Sequence, residues 1–161
     1  MADSDVDAVV ALAHANIDGV LAGYHSAAVM ARFRDEITAE SFREWMTWKQ
    51  VFVAEDQGQV VATGSLADFG TAGEPKQTVS QFYVRPDLHR RGIGSHLLAH
   101  LVRLARATGA DALHVPSSRH AVPFYQHAGF VADALQPDEA SEMTWMTLRL
   151  SRKSGSMSVS R

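Results

Sequence analysis

The sequence predicts one mixed α/β domain, α+β-like, with a central, mostly antiparallel sheet flanked by helices. Three observations predict it. Apolar residues recur at helical spacing between Val6 and Met46, and period-two segments follow at 50–55, 59–67 and 77–84. Beyond Gly92, helical and extended segments alternate as in a βαβ unit. With 161 residues the chain is long enough to bury one core without covalent staples.

Each element has a local reason. Val6, Val9, Val10 and Ala13 follow Ser4 and Asp5, two residues able to cap a helix. Helical character resumes through "IDGVLAGYHSAAVMARF", weakened by Gly19 and Gly23. Thr38 is placed to cap "AESFREWMTWK", with Phe42, Trp45 and Met46 facing inward. "QVFVAE", the turn "DQG" and "QVVATGSLA" form a hairpin, and "DFGTAGEPK" is a loop rich in glycine and small polar residues. "QTVSQFYV" is the third strand, ended by Pro86.

From Gly92 a helix is expected, with Ile93, Leu97, Leu98, Leu101, Leu104 and Ala105 as its apolar stripe and Gly109 as its stop. "DALHV" is then a strand, "RHAVPFYQHAG" a helix closed by Gly129, and "EMTWMTLRL" the last strand. These elements make one domain over 1–150, a helical part at 5–49 followed by a strand-rich core at 50–150. The serine-rich, basic segment 151–161 has no apolar face and is expected to be a flexible tail.

Composition narrows the chemistry. Hydrophobic residues make up 46% and charged residues 20%, with a net charge of -3, which argues against nucleic acid as a partner. The chain has no cysteine, which excludes disulfides, thiolate metal sites and a cysteine nucleophile. No apolar run of membrane-spanning length is expected, and the acidic start lacks the pattern of a signal peptide, so the expectation is a cytoplasmic protein without a membrane partner. His89, His96 and His100 contain one i,i+4 pair with no carboxylate at ligand spacing, so no metal site is expected.

The stretch "HRRGIGSHLL" carries the most chemistry. A strand entering a glycine corner and leaving as a helix exposes N–H groups without intrahelical partners at the positive end of the macrodipole. Gly92 and Gly94 allow close backbone approach, Ser95 adds a hydroxyl, and Arg90 and Arg91 add charge. By itself the corner is either a basic turn or a phosphate cradle. A Walker loop needs Gly-Lys followed by Ser or Thr, and a dinucleotide fingerprint needs a third glycine; both are absent.

Two segments resemble the GCN5-related N-acetyltransferases. "FYVRPDLHRRGIGSHLL" is similar to that family's acyl-CoA-binding strand and Q/R-x-x-G-x-G/A corner. "SSRHAVPFYQHAGF" is similar to its later motif, a helix carrying Phe-Tyr shortly before Gly-Phe. The resemblance covers roughly 50–150. It implies the family fold, acetyl-CoA as co-substrate without a metal, and an amine-bearing acceptor. It further implies that the backbone of Phe82, Tyr83 and Val84 pairs with the pantetheine arm. The loop from His89 through Arg90, Arg91, Gly92, Ile93 and Gly94 to Ser95 would hold the pyrophosphate. Phe124 and Ser118 would lie beside the cofactor arm, and Tyr125 would be the general acid that protonates departing CoA. The helical part at 5–49 becomes the acceptor side.

Departures from the family pattern also carry expectations. His89 stands where Gln or Arg is usual, and Ser118 where Asn is common. Thr78, Ser80 and Leu113 occupy positions at which members carry a glutamate base, so a water-relayed base is expected and protein N-termini are disfavoured as acceptors. His114 should face away from Leu113 by strand alternation. The family's opening edge strand has no counterpart before Asp5. A homodimer, common in the family, is admitted as a partner, and a non-catalytic acyl-CoA-binding regulatory module is the alternative function.

Overall fold

The structure, a computed structural model, describes residues 1–71, 74, 76–133 and 141–150. The expected tail at 151–161 lies outside the described residues. Helix α1 (Val6–Gly19) ends at its glycine, a 3-10 turn follows at Leu21–Gly23, and α2 (Ala27–Glu36) begins afresh. The expected resumption of helix after Gly19 is therefore a break and a restart. Ser26 decides the restart, because its side chain accepts from the Val29 N–H and satisfies one open donor. Thr38 does the same for Ser41 at the start of α3 (Ala39–Trp45).

Strands β1 (Gln50–Asp56), β2 (Gln59–Asp68) and β3 (Gln77–Val84) form an antiparallel meander. Helix α4 (Ile93–Ala107) crosses to β4 (Ala112–Ser117), and α5 (Val122–His127) leads to β5 (Val131–Ala132) and β6 (Thr144–Arg149). The sheet order is β1-β2-β3-β4-β6-β5, antiparallel except where β3 meets β4. The two-residue β5 was not expected, because so short a strand carries no period; its pairing of Val131 with Thr147 creates it. Among the described residues no strand precedes β1, which is an edge of the sheet.

Two cores sandwich the sheet. On one face Val6, Val9, Ile17 and Phe42 of α1 and α3 pack against Val51. On the other, Leu98 and Leu101 of α4 pack with Val79, Leu113 and Met146. Full burial of Leu101 stabilises the fold by about 2 kcal/mol. Ile93 and Leu104 of the expected stripe are only half-buried, since they lie at its margins.

One expectation is corrected here. The helical stretch from Asp3 to Gly23, 21 residues, holds an 18-residue window of mean hydropathy 1.3 and so does reach membrane-spanning length and apolarity. Its Val6, Val9, Leu12, Ala13 and Ile17 are buried under the sheet, however, so its apolar stripe is a core face.

Candidate functional site

The site exists because two neighbouring strands part. Strands β3 and β4 run parallel but pair only at Thr78 and His114, whereas β4 pairs with β6 along its whole length. A bulge interrupts β3 three residues beyond Thr78. Thr63 pairs with Tyr83 and Ser65 with Ser80, so Gln81 and Phe82 together stand against Gly64. Gln81 takes φ 45, and a Cβ on Gly64 would lie 2.8 Å from the Phe82 ring, so glycine is needed there. The result is a cleft of about 930 Å³ between the diverging strands.

The glycine corner closes one end of this cleft. Arg90 and Gly92 both adopt positive φ, at 62 and 85, which turns the chain from β3 into the first turn of α4. Gly92, Gly94 and Ser95 line the cleft with His89 and Arg90, so the start of α4, where helix N–H groups lack intrahelical partners, borders it. The side chains of Arg91 and Ile93 go elsewhere. They face a second groove, between β1 and α4, because neighbouring residues at a helix start project in different directions.

The end of β3 is anchored from two sides. Asn16 of α1, 6% exposed, donates to the Val84 carbonyl at 2.9 Å and to the Leu12 carbonyl at 3.0 Å. His89 Nε2 also lies 2.8 Å from the Val84 oxygen. The Val84 carbonyl is thus already satisfied, and any ligand pairing with this strand must use its other backbone groups. Asn16 was missed in the sequence, where a lone polar residue on an apolar helix carries no signal.

Across the cleft, Phe124 and Tyr125 of α5 meet β3. The Phe82 and Phe124 rings are 5.8 Å apart, and Tyr125 packs on Phe124 at 5.1 Å and Phe130 at 5.4 Å. Tyr125 is 4% exposed, lines the cleft, and has no hydrogen-bond partner for its hydroxyl among the described residues. Burial, reinforced by nearby Tyr83, pushes its phenol above the ordinary tyrosine range and keeps it protonated. Ser118, almost buried, and Pro116 of β4 line the same wall. His114 does face away from the buried Leu113, and its Nδ1 pairs with Thr147 Oγ1 at 3.1 Å.

Behind Trp45 and Gln81, which line the cleft, lies a buried cation. Lys49, 8% exposed, sits against the faces of Trp45 at 4.6 Å and Trp48 at 4.7 Å and donates to Gln81 Oε1 at 2.9 Å. Burial lowers its ammonium to about 8. Its folded-state value lies below that of the unfolded chain, so the unfolded chain holds the extra proton between about pH 8 and 10.5 and stability rises with pH in that window. Relative to Lys49→Met, the wild type should gain roughly 2–3 kcal/mol of stability as pH rises through it. Urea unfolding of both proteins at pH 7, 9 and 10.5 checks this, and a constant difference would refute it. Among the described residues no group of three histidine or acidic side chains is arranged to hold a metal.

A family model for the acetyltransferase (GNAT) domain matches residues 13–151. The chain belongs to the GNAT acetyltransferase family. Among solved structures, this GNAT chain is similar to a PaiA N-acetyltransferase from Thermoplasma acidophilum in complex with coenzyme A. That likeness has TM-score 0.75 at 14% identity and covers 93% of this chain and 96% of the other. It is also similar to a GCN5-related N-acetyltransferase from Rhodopseudomonas palustris, with TM-score 0.77 at 24% identity, covering 93% and 92% of the two chains. A stretch of 53 residues is 45% identical to the tRNA(Met) cytidine acetyltransferase TmcA of Aeropyrum pernix. The stretch makes up 32% of this chain and spans only 7% of that protein. In this GNAT domain, Thr78 and Leu113 are buried and apolar or hydroxylic, so neither supplies a carboxylate base.

Proposed function

We propose that the protein transfers an acetyl group from acetyl-CoA to an amine by direct attack, within the cleft between β3 and β4. The observation that carries this reading is the convergence of two sequence-distant groups on one cleft, the glycine corner at its polar end and Tyr125 on its far wall. The N–H groups from Gly92 to Ser95 and the Arg90 guanidinium would take the pyrophosphate. The freed edge of β3, residues Phe82 to Val84, would pair with the pantetheine amides through groups other than the Val84 carbonyl, with Phe124 and Ser118 beside the arm.

A neutral amine then attacks the thioester carbonyl, forming a tetrahedral oxyanion that backbone N–H groups stabilise. Collapse breaks the carbon–sulfur bond, Tyr125 gives its proton to the departing thiolate, and the proton lost by the acylated nitrogen passes through water to the resulting phenolate. Holding both reactants in one cleft supplies most of the acceleration. Glu36, at the end of α2, is a carboxylate lining the acceptor end; it would draw an ammonium in and accept its proton through water. The acceptor of TmcA is not carried over, because so little of that protein is matched.

The test is free-thiol release from acetyl-CoA over a broad amine panel, beside calorimetric CoA binding. Thiol release above background for at least one amine is expected. CoA binding with no release for any amine would instead favour a regulatory acyl-CoA-binding module, and absence of CoA binding would sink both.

A further inference from the structure

Gln81 has its carboxamide locked in one orientation. Lys49 Nζ lies 2.9 Å from Gln81 Oε1, Ser80 Oγ donates to the same oxygen at 2.7 Å, and Ser65 Oγ is 2.9 Å from it. The Ser65 hydroxyl also reaches the Ser80 carbonyl at 2.8 Å, which ties the cluster to the strand. An ammonium only donates, so the group facing Lys49 must be the oxygen and the amide cannot flip. The NH2 group is therefore directed to the other side, and it makes no hydrogen bond among the described residues. Gln81 lines the cleft between Trp45 and Phe82, and the bulge that gives it φ 45 holds it there.

The charge behind this amide is uncompensated. Lys49 is almost fully buried, yet its contacts are three aromatic faces, Ser80 and Gln81, and no carboxylate pairs with it among the described residues. A buried cation without a counter-charge favours an anion nearby, and its hydrogen bond to Oε1 strengthens the Gln81 N–H groups as donors. Resting on the transferase reading above, we propose that Gln81, backed by Lys49, is an acceptor-recognition group and that the acceptor is an amine bearing a carboxylate. The carboxylate accepts from Gln81 Nε2, and the amine is then held at the thioester end of the cleft.

The experiment compares matched acceptors on the full chain: phenylalanine with 2-phenylethylamine, and lysine with 1,5-diaminopentane. The carboxylate-bearing member of at least one pair should show kcat/KM at least about 10-fold higher, since a site built to bond a polar group rejects the analogue lacking it. Gln81→Glu keeps the size and the Lys49 contact but replaces a donor with an acceptor. It should lower kcat/KM for that acceptor by at least about 30-fold, mostly through KM, and leave the KM for acetyl-CoA unchanged. Lys49→Met should weaken the preference and Lys49→Arg restore it. Equal use of both members in each pair, or a preference that survives Gln81→Glu, overturns the assignment while the transferase reading stands. CoA binding without thiol release from any acceptor overturns the transferase reading, and this assignment with it.

Discussion

Gly94→Asp is expected to abolish measurable CoA binding with the fold retained. A Cβ built on Gly94 meets the Phe124 ring and Val84 Cγ2 at 3.4 Å, ordinary contact that needs no rearrangement. The carboxylate it carries would enter the cleft between the end of β3 and α5, beside the open N–H groups of α4. A negative charge there suits the helix dipole, so the helix should persist. The same charge opposes a pyrophosphate, and like charges in contact cost several kcal/mol, which corresponds to more than about 100-fold in affinity. Calorimetric titration with CoA and thermal unfolding of the free variant give the two readouts. Unchanged affinity would mean that the corner is a turn and no cradle, and Gly94→Ala, which adds only the Cβ, separates bulk from charge.

Tyr125→Phe should lower kcat by about 100-fold, near 2.7 kcal/mol of barrier, with the KM for acetyl-CoA unchanged. Phenylalanine preserves the ring contacts with Phe124 and Phe130, so thermal stability should be nearly that of the wild type. Because burial raises the Tyr125 phenol, it stays protonated at alkaline pH, where an amine acceptor loses its own proton. The wild-type rate should accordingly rise with pH as the acceptor deprotonates and hold through about pH 10, above the ordinary tyrosine value. A variant with wild-type kcat at every pH would remove Tyr125 from the chemistry and leave the cleft as a CoA site.

Much of this was legible in one dimension. The elements from β1 to α4 lie close to their expected positions because alternation and the Leu97–Leu101 stripe are local signals. The corner was legible because Gly92 and Gly94 answer a backbone demand, and Phe124-Tyr125 stands at a fixed distance from Gly129-Phe130. What was not legible depends on distant pairing. Asn16 reaches Val84 across 68 positions, and Lys49 reaches Gln81 across 32. No periodicity links such partners, and a lysine after two tryptophans reads as an ordinary surface residue until the fold encloses it.

By itself the sequence determined a mixed α/β domain with a glycine corner and an aromatic helix, in the order in which it resembles the GNAT family. Those features are local, since each depends on φ, helix ends or side-chain spacing along a few residues. The tertiary structure alone decided that β3 and β4 part after one pair, that Arg91 and Ile93 leave the cleft, and that Lys49 stands buried behind Gln81. Each of these follows from a bulge set against Gly64 and from strands meeting across the sheet, and such encounters are fixed only when the whole chain packs.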